Sequence, residues 1–194
     1  MAKGTGTARR ISPRTVFTGL TALLCVLVSL MSAAGPAGAR ESGLLDVTCT
    51  PPSSNTVVYS TPLTLAPQSV GLTSSVQLGP CVSVSTPALT SGTSVVSAPP
   101  ASRSCLDLLS AGTETRTVTW NTGATSALSL NRTVTVAGAA LVVTFTGTVT
   151  SGLFAGDTVL MTITGPSTDI TLCTLGLGTV PSTFGLVTLE ITSA

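Results

Sequence analysis

The stretch LVVTFTGTVT, residues 141 to 150, alternates large apolar side chains with threonines. The apolar side chains of Leu141, Val143, Phe145 and Val149 stand at odd positions, and Thr144, Thr146, Thr148 and Thr150 stand at even positions. Because a β-strand turns successive side chains to opposite faces, this segment has one apolar face and one polar face. It predicts a half-buried strand whose odd residues face a hydrophobic core.

The same period of two recurs along a threonine-rich chain, and β-branched residues of this kind favour strands. Gly, Pro, Asn and Ser breaks separate the candidate strands, which are residues 44–50, 56–60, 62–66, 74–78, 81–85, 115–120, 128–136, 141–150, 158–164, 168–175 and 186–192. In residues 128–136 an arginine, Arg132, interrupts the apolar face. We therefore expect an all-β fold, an antiparallel β-sandwich of roughly seven to ten strands.

Helix signals occur in one segment, residues 102–112. Ser102 or Ser104 can cap a short helix, Leu106 and Leu109 share one side, and Gly112 can end it. The sandwich is therefore expected to carry at most one short helix.

Residues 147–159, GTVTSGLFAGDTV, contain a strand, a glycine-bounded corner and the start of the next strand. This segment resembles the penultimate corner of immunoglobulin-like β-sandwiches in small secreted proteins of high-GC Gram-positive bacteria. The corner tyrosine of true immunoglobulin domains is absent, and Trp120 follows Cys105 by only fifteen residues, which differs from their Cys…Trp…Cys spacing. The resemblance implies an immunoglobulin-like fold and brings no catalytic residue with it.

The amino terminus has the pattern of an export signal. Arg9, Arg10 and Arg14 precede an uncharged apolar run over residues 15–32, and residues 37–39 form a small-x-small cleavage pattern. We expect residues 1–39 to be a secretory signal peptide and residues 40–194 to be one extracellular domain. The alternative is a retained membrane anchor, since the run is close to the shortest length that spans a bilayer. With the signal cleaved, no membrane association is expected.

Four cysteines follow residue 39: Cys49, Cys81, Cys105 and Cys173. An even number of cysteines in an exported chain predicts disulfide bonds, and four cysteines allow three pairings. We favour Cys49 with Cys81 and Cys105 with Cys173. The chain has no C-x-x-C spacing and no histidine, so no metal site is predicted.

The residue inventory excludes several chemistries. The chain contains no histidine and no lysine after Lys3, so Ser-His-Asp triads, Cys-His pairs and lysine Schiff bases cannot form within residues 40–194. Those residues carry four arginines against seven acidic residues, a net charge of −3, and no basic patch for nucleic acid. We predict no cofactor and no catalytic residue.

Carboxylates are the remaining candidates for catalysis, because a glycosidase needs two acids about 5 to 10 Å apart. The candidates are Asp46, Asp107, Asp157, Asp169 and Glu190, and the aromatic residues that could stack on a sugar are Tyr59, Trp120, Phe145, Phe154 and Phe184. The simpler interpretation places Asp157 and Asp169 in turns, Asp107 on an exposed helix position and Glu190 on the solvent face of a strand.

The function expected from these features is that of a secreted, non-enzymatic binding or structural module at the cell surface or in the medium. Its partner would be a cell-wall glycan, another surface protein or a second copy of itself. Two alternatives stay open. Poorly charged strand edges would suit a self-assembling coat protein, and the paired acids would suit a carboxylate-only glycosidase.

Overall fold

The computed structural model describes residues 44–194, so the predicted signal peptide, residues 1–39, lies outside the described residues. Ten strands form one antiparallel sheet: β1 Leu45–Cys49, β2 Ser54–Leu63, β3 Gln68–Leu78, β4 Cys81–Ser83, β5 Gly92–Arg103, β6 Gly112–Trp120, β7 Thr125–Ala137, β8 Ala140–Gly152, β9 Thr158–Pro166 and β10 Val180–Thr192. A 3₁₀ helix, Cys105–Leu109, lies between β5 and β6, and an α-helix, α1, Thr168–Thr174, lies between β9 and β10. In this part of the chain no helix is long and apolar enough to cross a bilayer.

The sheet closes into an eight-stranded barrel in the order β2-β3-β5-β6-β7-β8-β9-β10. Closure comes from β10, which pairs with β9 over residues 186–192 and returns to β2 through its first half, from Ser182↔Val58 to Leu186↔Ser54. The second half of β10 also pairs with β1, and β1 pairs with β4 outside the closed ring.

The prediction of an immunoglobulin-like β-sandwich is therefore wrong. A sandwich and a barrel both need strands with one buried face, so the period of two suits either architecture. The difference lies in the partners of β10, which the alternation does not encode. The corner at residues 147–159 joins β8 to β9, which are neighbours in the same barrel wall.

The alternation in β8 places its side chains as the pattern predicted. Leu141, Phe145 and Val149 are buried, while Thr146, Thr148 and Thr150 are exposed. The buried set faces the barrel interior, where the sequence had suggested a second sheet. Each such side chain contributes about 1.5 to 3 kcal/mol on burial, which anchors the strand.

One end of the barrel is filled by apolar side chains around Trp120, which is 2% exposed. The indole Nε1 donates a hydrogen bond to Ser126 Oγ at 2.8 Å, and the ring meets Phe154 edge-on with the centroids 6.2 Å apart. The Cys49–Cys81 disulfide belongs to the same cluster. We call this cluster the Trp120 core.

The other end carries the 3₁₀ helix and α1, joined by the Cys105–Cys173 disulfide. We call this pair the helical cap. Leu108 from the 3₁₀ helix and Ile170 from α1 pack into a second cluster that includes Tyr59 and Leu141. The two disulfides are the pairings that the sequence favoured, and the 3₁₀ helix lies in the segment expected to be helical.

Residues 168–175 were predicted to be a strand, and this prediction is wrong because Thr168–Thr174 form α1. The structure has one α-helix, but it lies at residues 168–174 and not in the segment 102–112, which holds the 3₁₀ helix. The helix buries Ile170 and Cys173, which are three residues apart and therefore share a helical face. Gly176, with φ of 76°, follows the helix and adopts the left-handed conformation that suits glycine after a helix end.

Candidate functional site

A cavity of about 170 Å³ lies inside the barrel wall, between the Trp120 core and the helical cap. Most of its lining is apolar. These side chains come from five strands and both short helices: Val57, Leu72, Val96, Leu108, Leu141, Val143, Phe145, Ile163 and Ile170. Interior positions of a small barrel are usually filled by side chains. Here the side chains of the Trp120 core do not reach the helical cap, and the space between them is large enough for a small molecule.

Two charged side chains face this cavity from β6. The inward positions of β6 are 114, 116, 118 and 120, and the last two belong to the Trp120 core. The other two are Glu114 and Arg116, so the alternation of a single strand carries both charges into the barrel. The Arg116 side chain is 4% exposed and the Glu114 side chain is 30% exposed.

The guanidinium of Arg116 is held on one side only. Its Nε donates to Glu114 Oε1 at 3.0 Å, its Nη2 lies 3.0 Å from the same oxygen, and Nη2 donates to Ser74 Oγ at 3.3 Å. Its Nη1 is buried and has no hydrogen-bond partner among residues 44–194. A buried donor without an acceptor costs about 1 to 3 kcal/mol, and more when the group is charged.

Ser74 on β3 and Asn55 on β2 continue this polar region on the two adjacent strands beyond β5. The register of β3 with β5 sets Ser74 opposite Val96, and Asn55 on β2 donates from Nδ2 to Ser74 Oγ at 2.9 Å. Ser74 Oγ thus accepts one bond from Asn55 and one from Arg116. We call Asn55, Ser74, Glu114 and Arg116 the polar belt.

A second guanidinium, that of Arg132 on β7, lines the cavity nearer the helical cap. Its Nη2 donates to the carbonyl oxygens of Asp107 at 3.0 Å and Ser110 at 2.8 Å, which ties the cap to the barrel wall. Within the described chain the single ion pair is that of Arg116 with Glu114, so Arg132 has no carboxylate partner there. The cavity lining therefore carries two positive charges and one negative charge.

Tyr59 lines the cavity from β2 and is nearly buried. Burial raises the pKa of its phenol above the ordinary value of 10.0, against smaller lowering contributions from a hydrogen bond with the Thr183 side chain and from the charges of Arg132 and Arg103. The phenol is therefore neutral at neutral pH. It offers the cavity a polar group without adding a charge.

The barrel wall is open beside the polar belt. In the part of the chain that the structure describes, β5 and β6 pair only through Gly92↔Trp120 and Thr93↔Thr119, although β5 continues to Arg103 and β6 starts at Gly112. Val96 and Glu114 line the cavity from the two sides of this gap. Glu114, whose side chain is 30% exposed, therefore lies where the unpaired stretch of the wall borders the cavity.

The carboxylates singled out in the sequence lie elsewhere, and none of them lines the cavity. Asp107 is an exposed residue of the 3₁₀ helix, Asp169 is exposed in the first turn of α1, and Glu190 is exposed on β10. Asp46 and Asp157 do come together, beside the Trp120 core. Burial and then the charge of Asp46 raise the pKa of Asp157.

Among the described residues, the pair of Asp46 and Asp157 does not line the cavity described above. The same part of the chain contains no group of three or more His, Cys, Asp or Glu side chains placed to hold a metal ion.

Sequence reasoning missed Glu114 and Arg116, although the signal was present. The segment TRTVTW indicates that Val118 and Trp120 share a face, and the same alternation continued backwards puts Arg116 and Glu114 on that face. Arg132 interrupts the apolar face of the next strand in the same way. Arginines on the core faces of consecutive strands indicate a polar site within the barrel.

Neither a protein-family model, nor a curated protein, nor a solved structure matches this chain.

Proposed function

We propose that this protein is a secreted, non-enzymatic binding protein that holds a small, largely apolar molecule inside its barrel. The observation that carries the proposal is Arg116, a buried cation that lines the cavity and whose Nη1 has no acceptor among the residues around it. An apolar side chain of similar volume would serve stability at least as well as a buried ion pair. A ligand that accepts a hydrogen bond from Nη1 would explain why the chain buries an arginine at this position.

The cavity sets the size of the ligand. Its volume of about 170 Å³ is close to that of an apolar protein cavity of about 150 Å³ that takes up benzene. Pockets for drug-sized molecules are larger, about 300 to 1,000 Å³. The ligand is therefore a single ring or a short alkyl chain with one polar group.

The side chains that line the cavity suit binding better than catalysis. Its lining contains one carboxylate, that of Glu114, which is already bound to Arg116. General acid-base catalysis by carboxylates needs a second, separately placed acid or base. Export of the protein is supported by the signal pattern of residues 1–39 and by two disulfide bonds, which are typical of oxidising compartments.

Two neighbouring residues of β5 provide a matched test of the binding site. Val96 lines the cavity, whereas Val95 is on the outer face and 63% exposed. We expect ligand-observed NMR to detect binding of benzene-sized and short-chain compounds to the wild type and to Val95→Phe. Val96→Phe should fill the cavity and abolish that binding. Fluorescence of the single tryptophan, Trp120, checks that both variants are folded. Equal binding by the two variants would place the ligand outside the barrel.

Self-association is a second candidate function, and exposed leucines of the helical cap favour it. Leu175 and Leu177, directly after α1, are 65% and 72% exposed, and Leu106, Leu109 and Leu172 are exposed nearby on the two helices. Exposed apolar patches of this kind mark interaction surfaces. Sedimentation velocity over a wide concentration range tests this candidate. A monomer at every concentration would contradict it, and loss of an oligomer in Leu175→Ser/Leu177→Ser would support it.

A further inference from the structure

We infer that the ligand is a small monocarboxylate, whose carboxylate binds Arg116 Nη1 while its ring or short alkyl body occupies the apolar part of the cavity. This inference rests on the proposed function, because it names the chemical class of the molecule that the same cavity holds. Three properties of the cavity lining carry it.

The first property is the charge of the cavity lining. Arg116 and Arg132 contribute two positive charges and Glu114 one negative charge, so the lining has an excess of one positive charge among the described residues. Arg116 is buried, so its charge is poorly screened by solvent, whereas Glu114 and Arg132 are partly exposed. A monoanion balances the excess, a neutral ligand leaves it, and a cation doubles it.

The second property is the kind of hydrogen bond that remains to be made. A guanidinium has donors and no acceptor, so the free Nη1 requires an acceptor atom from the ligand. Ser74 Oγ accepts bonds from Asn55 and Arg116, which leaves its own hydroxyl proton available to donate. A carboxylate can accept from both groups through its two oxygens. Hydrogen bonds between charged partners are about twice as strong as neutral ones.

The third property is the position of Glu114, which limits the charge that the site accepts. Its carboxylate lies against Nε and Nη2 of the same guanidinium that would bind the ligand. A second negative charge on the ligand would be repelled by Glu114 at short range. The site therefore favours a monocarboxylate over phosphate or sulfate dianions.

The experiment compares acids with their neutral amides of the same shape. Titration calorimetry on the purified protein at neutral pH would use benzoate against benzamide and hexanoate against hexanamide. We expect each carboxylate to bind about tenfold or more tightly than its amide, from the strength of a charge-assisted bond. We also expect Glu114→Gln to tighten carboxylate binding, because it removes the neighbouring negative charge.

A variant of Arg116 and Glu114 distinguishes a failure of the carboxylate assignment from a failure of the proposed small-molecule binding. Glu114→Gln/Arg116→Met removes both charges together, so that neither is left unpaired, and its fold is checked by Trp120 fluorescence. We expect this variant to bind the carboxylate no better than the amide. Equal binding of acid and amide by the wild type would overturn the carboxylate assignment and keep the small-molecule function. A preference for the acid that persists in the double variant would also overturn the assignment. Binding of neither compound would overturn both.

Discussion

Arg116 donates from Nε to Glu114 Oε1 at 3.0 Å and sets Nη2 3.0 Å from the same oxygen, across a two-residue step of β6 that turns both side chains into the barrel. The two partners differ in exposure. Arg116 is almost fully buried, whereas Glu114 borders the gap between β5 and β6. The pair therefore brings a positive charge into the barrel and keeps its counter-charge near solvent.

Removal of Glu114 alone should destabilise the fold, because it leaves Arg116 buried with an uncompensated charge. We expect Glu114→Gln to lower the free energy of unfolding by about 1 to 3 kcal/mol. Glu114→Gln/Arg116→Met should recover most of this loss. Urea denaturation followed by Trp120 fluorescence measures both variants. A double variant no more stable than Glu114→Gln would show that the buried charge is not the cause.

Gly92 leaves room for the indole ring of Trp120. A Cβ atom at Gly92 would stand 2.7 Å from Trp120 Cε3, closer than carbon atoms pack. We expect Gly92→Ala to lower the free energy of unfolding by about 1 to 3 kcal/mol, as is usual when a well-packed core is overfilled. Gly112→Ala is the matched control, since nothing lies within 4 Å of the added carbon. Equal urea midpoints for the two variants would contradict the packing described for Trp120.

The Cys105–Cys173 disulfide should stabilise both the fold and the cavity. Its cysteines are 68 residues apart in sequence, and the chain-entropy relation gives about 4 kcal/mol for a loop of this length. We expect Cys105→Ser/Cys173→Ser to lose much of this stability in thermal melts. It should also weaken ligand binding, because Leu108 and Ile170 of the helical cap line the cavity. Unchanged binding in a folded double variant would show that the cap does not shape the site.

Tyr59 is the single tyrosine of the chain, so its titration can be followed directly by ultraviolet absorbance. Burial raises its pKa, and we expect the phenolate band to develop only above the ordinary value of 10.0. In this range the folded state retains a proton that the unfolded chain releases. The stability of the fold should therefore decrease as the pH rises from about 10 through the folded-state pKa. A phenolate band centred at or below pH 10 with the fold intact would contradict the burial of this ring.

The pairing of Asp157 with Asp46 should make stability depend on pH in the acidic range. The pKa of Asp157 is raised, so the folded state holds its proton more tightly than the unfolded chain. Stability should then decrease as the pH rises from the ordinary carboxyl range through this higher pKa, and the loss persists at neutral pH. We expect Asp157→Asn to raise the melting temperature relative to wild type more at pH 7 than at pH 3. Glu190→Gln, exposed on β10, is the control for the removal of one negative charge.

The strands and their buried faces could be predicted from sequence, because the burial of Leu141, Phe145 and Val149 needs only the period of two. Closure into a barrel could not be predicted in this way. It depends on β10 reaching β9 with one half and β2 with the other, a long-range pairing that leaves no local pattern.

Two errors in the sequence reading have local causes. In α1, Ile170 and Leu172 alternate as in a strand, but the buried pair is Ile170 and Cys173, which is the spacing of a helix. The candidate site was missed because the alternation that places Val118 and Trp120 on the buried face was not extended back to Arg116 and Glu114.

The gap between β5 and β6 is held at both of its ends. Gly92 and Trp120 join the strands at one end, and at the other the segment linking them is fastened to α1 by Cys105 and Cys173. Because the gap is closed at both ends, β5 and β6 can separate in the middle while they stay joined at the ends. Pro99, on the β5 edge, has no amide proton to offer a foreign strand. If the proposed ligand enters through this gap, it passes through the side of the barrel, and the pairing of β10 with β2 and β9 stays intact.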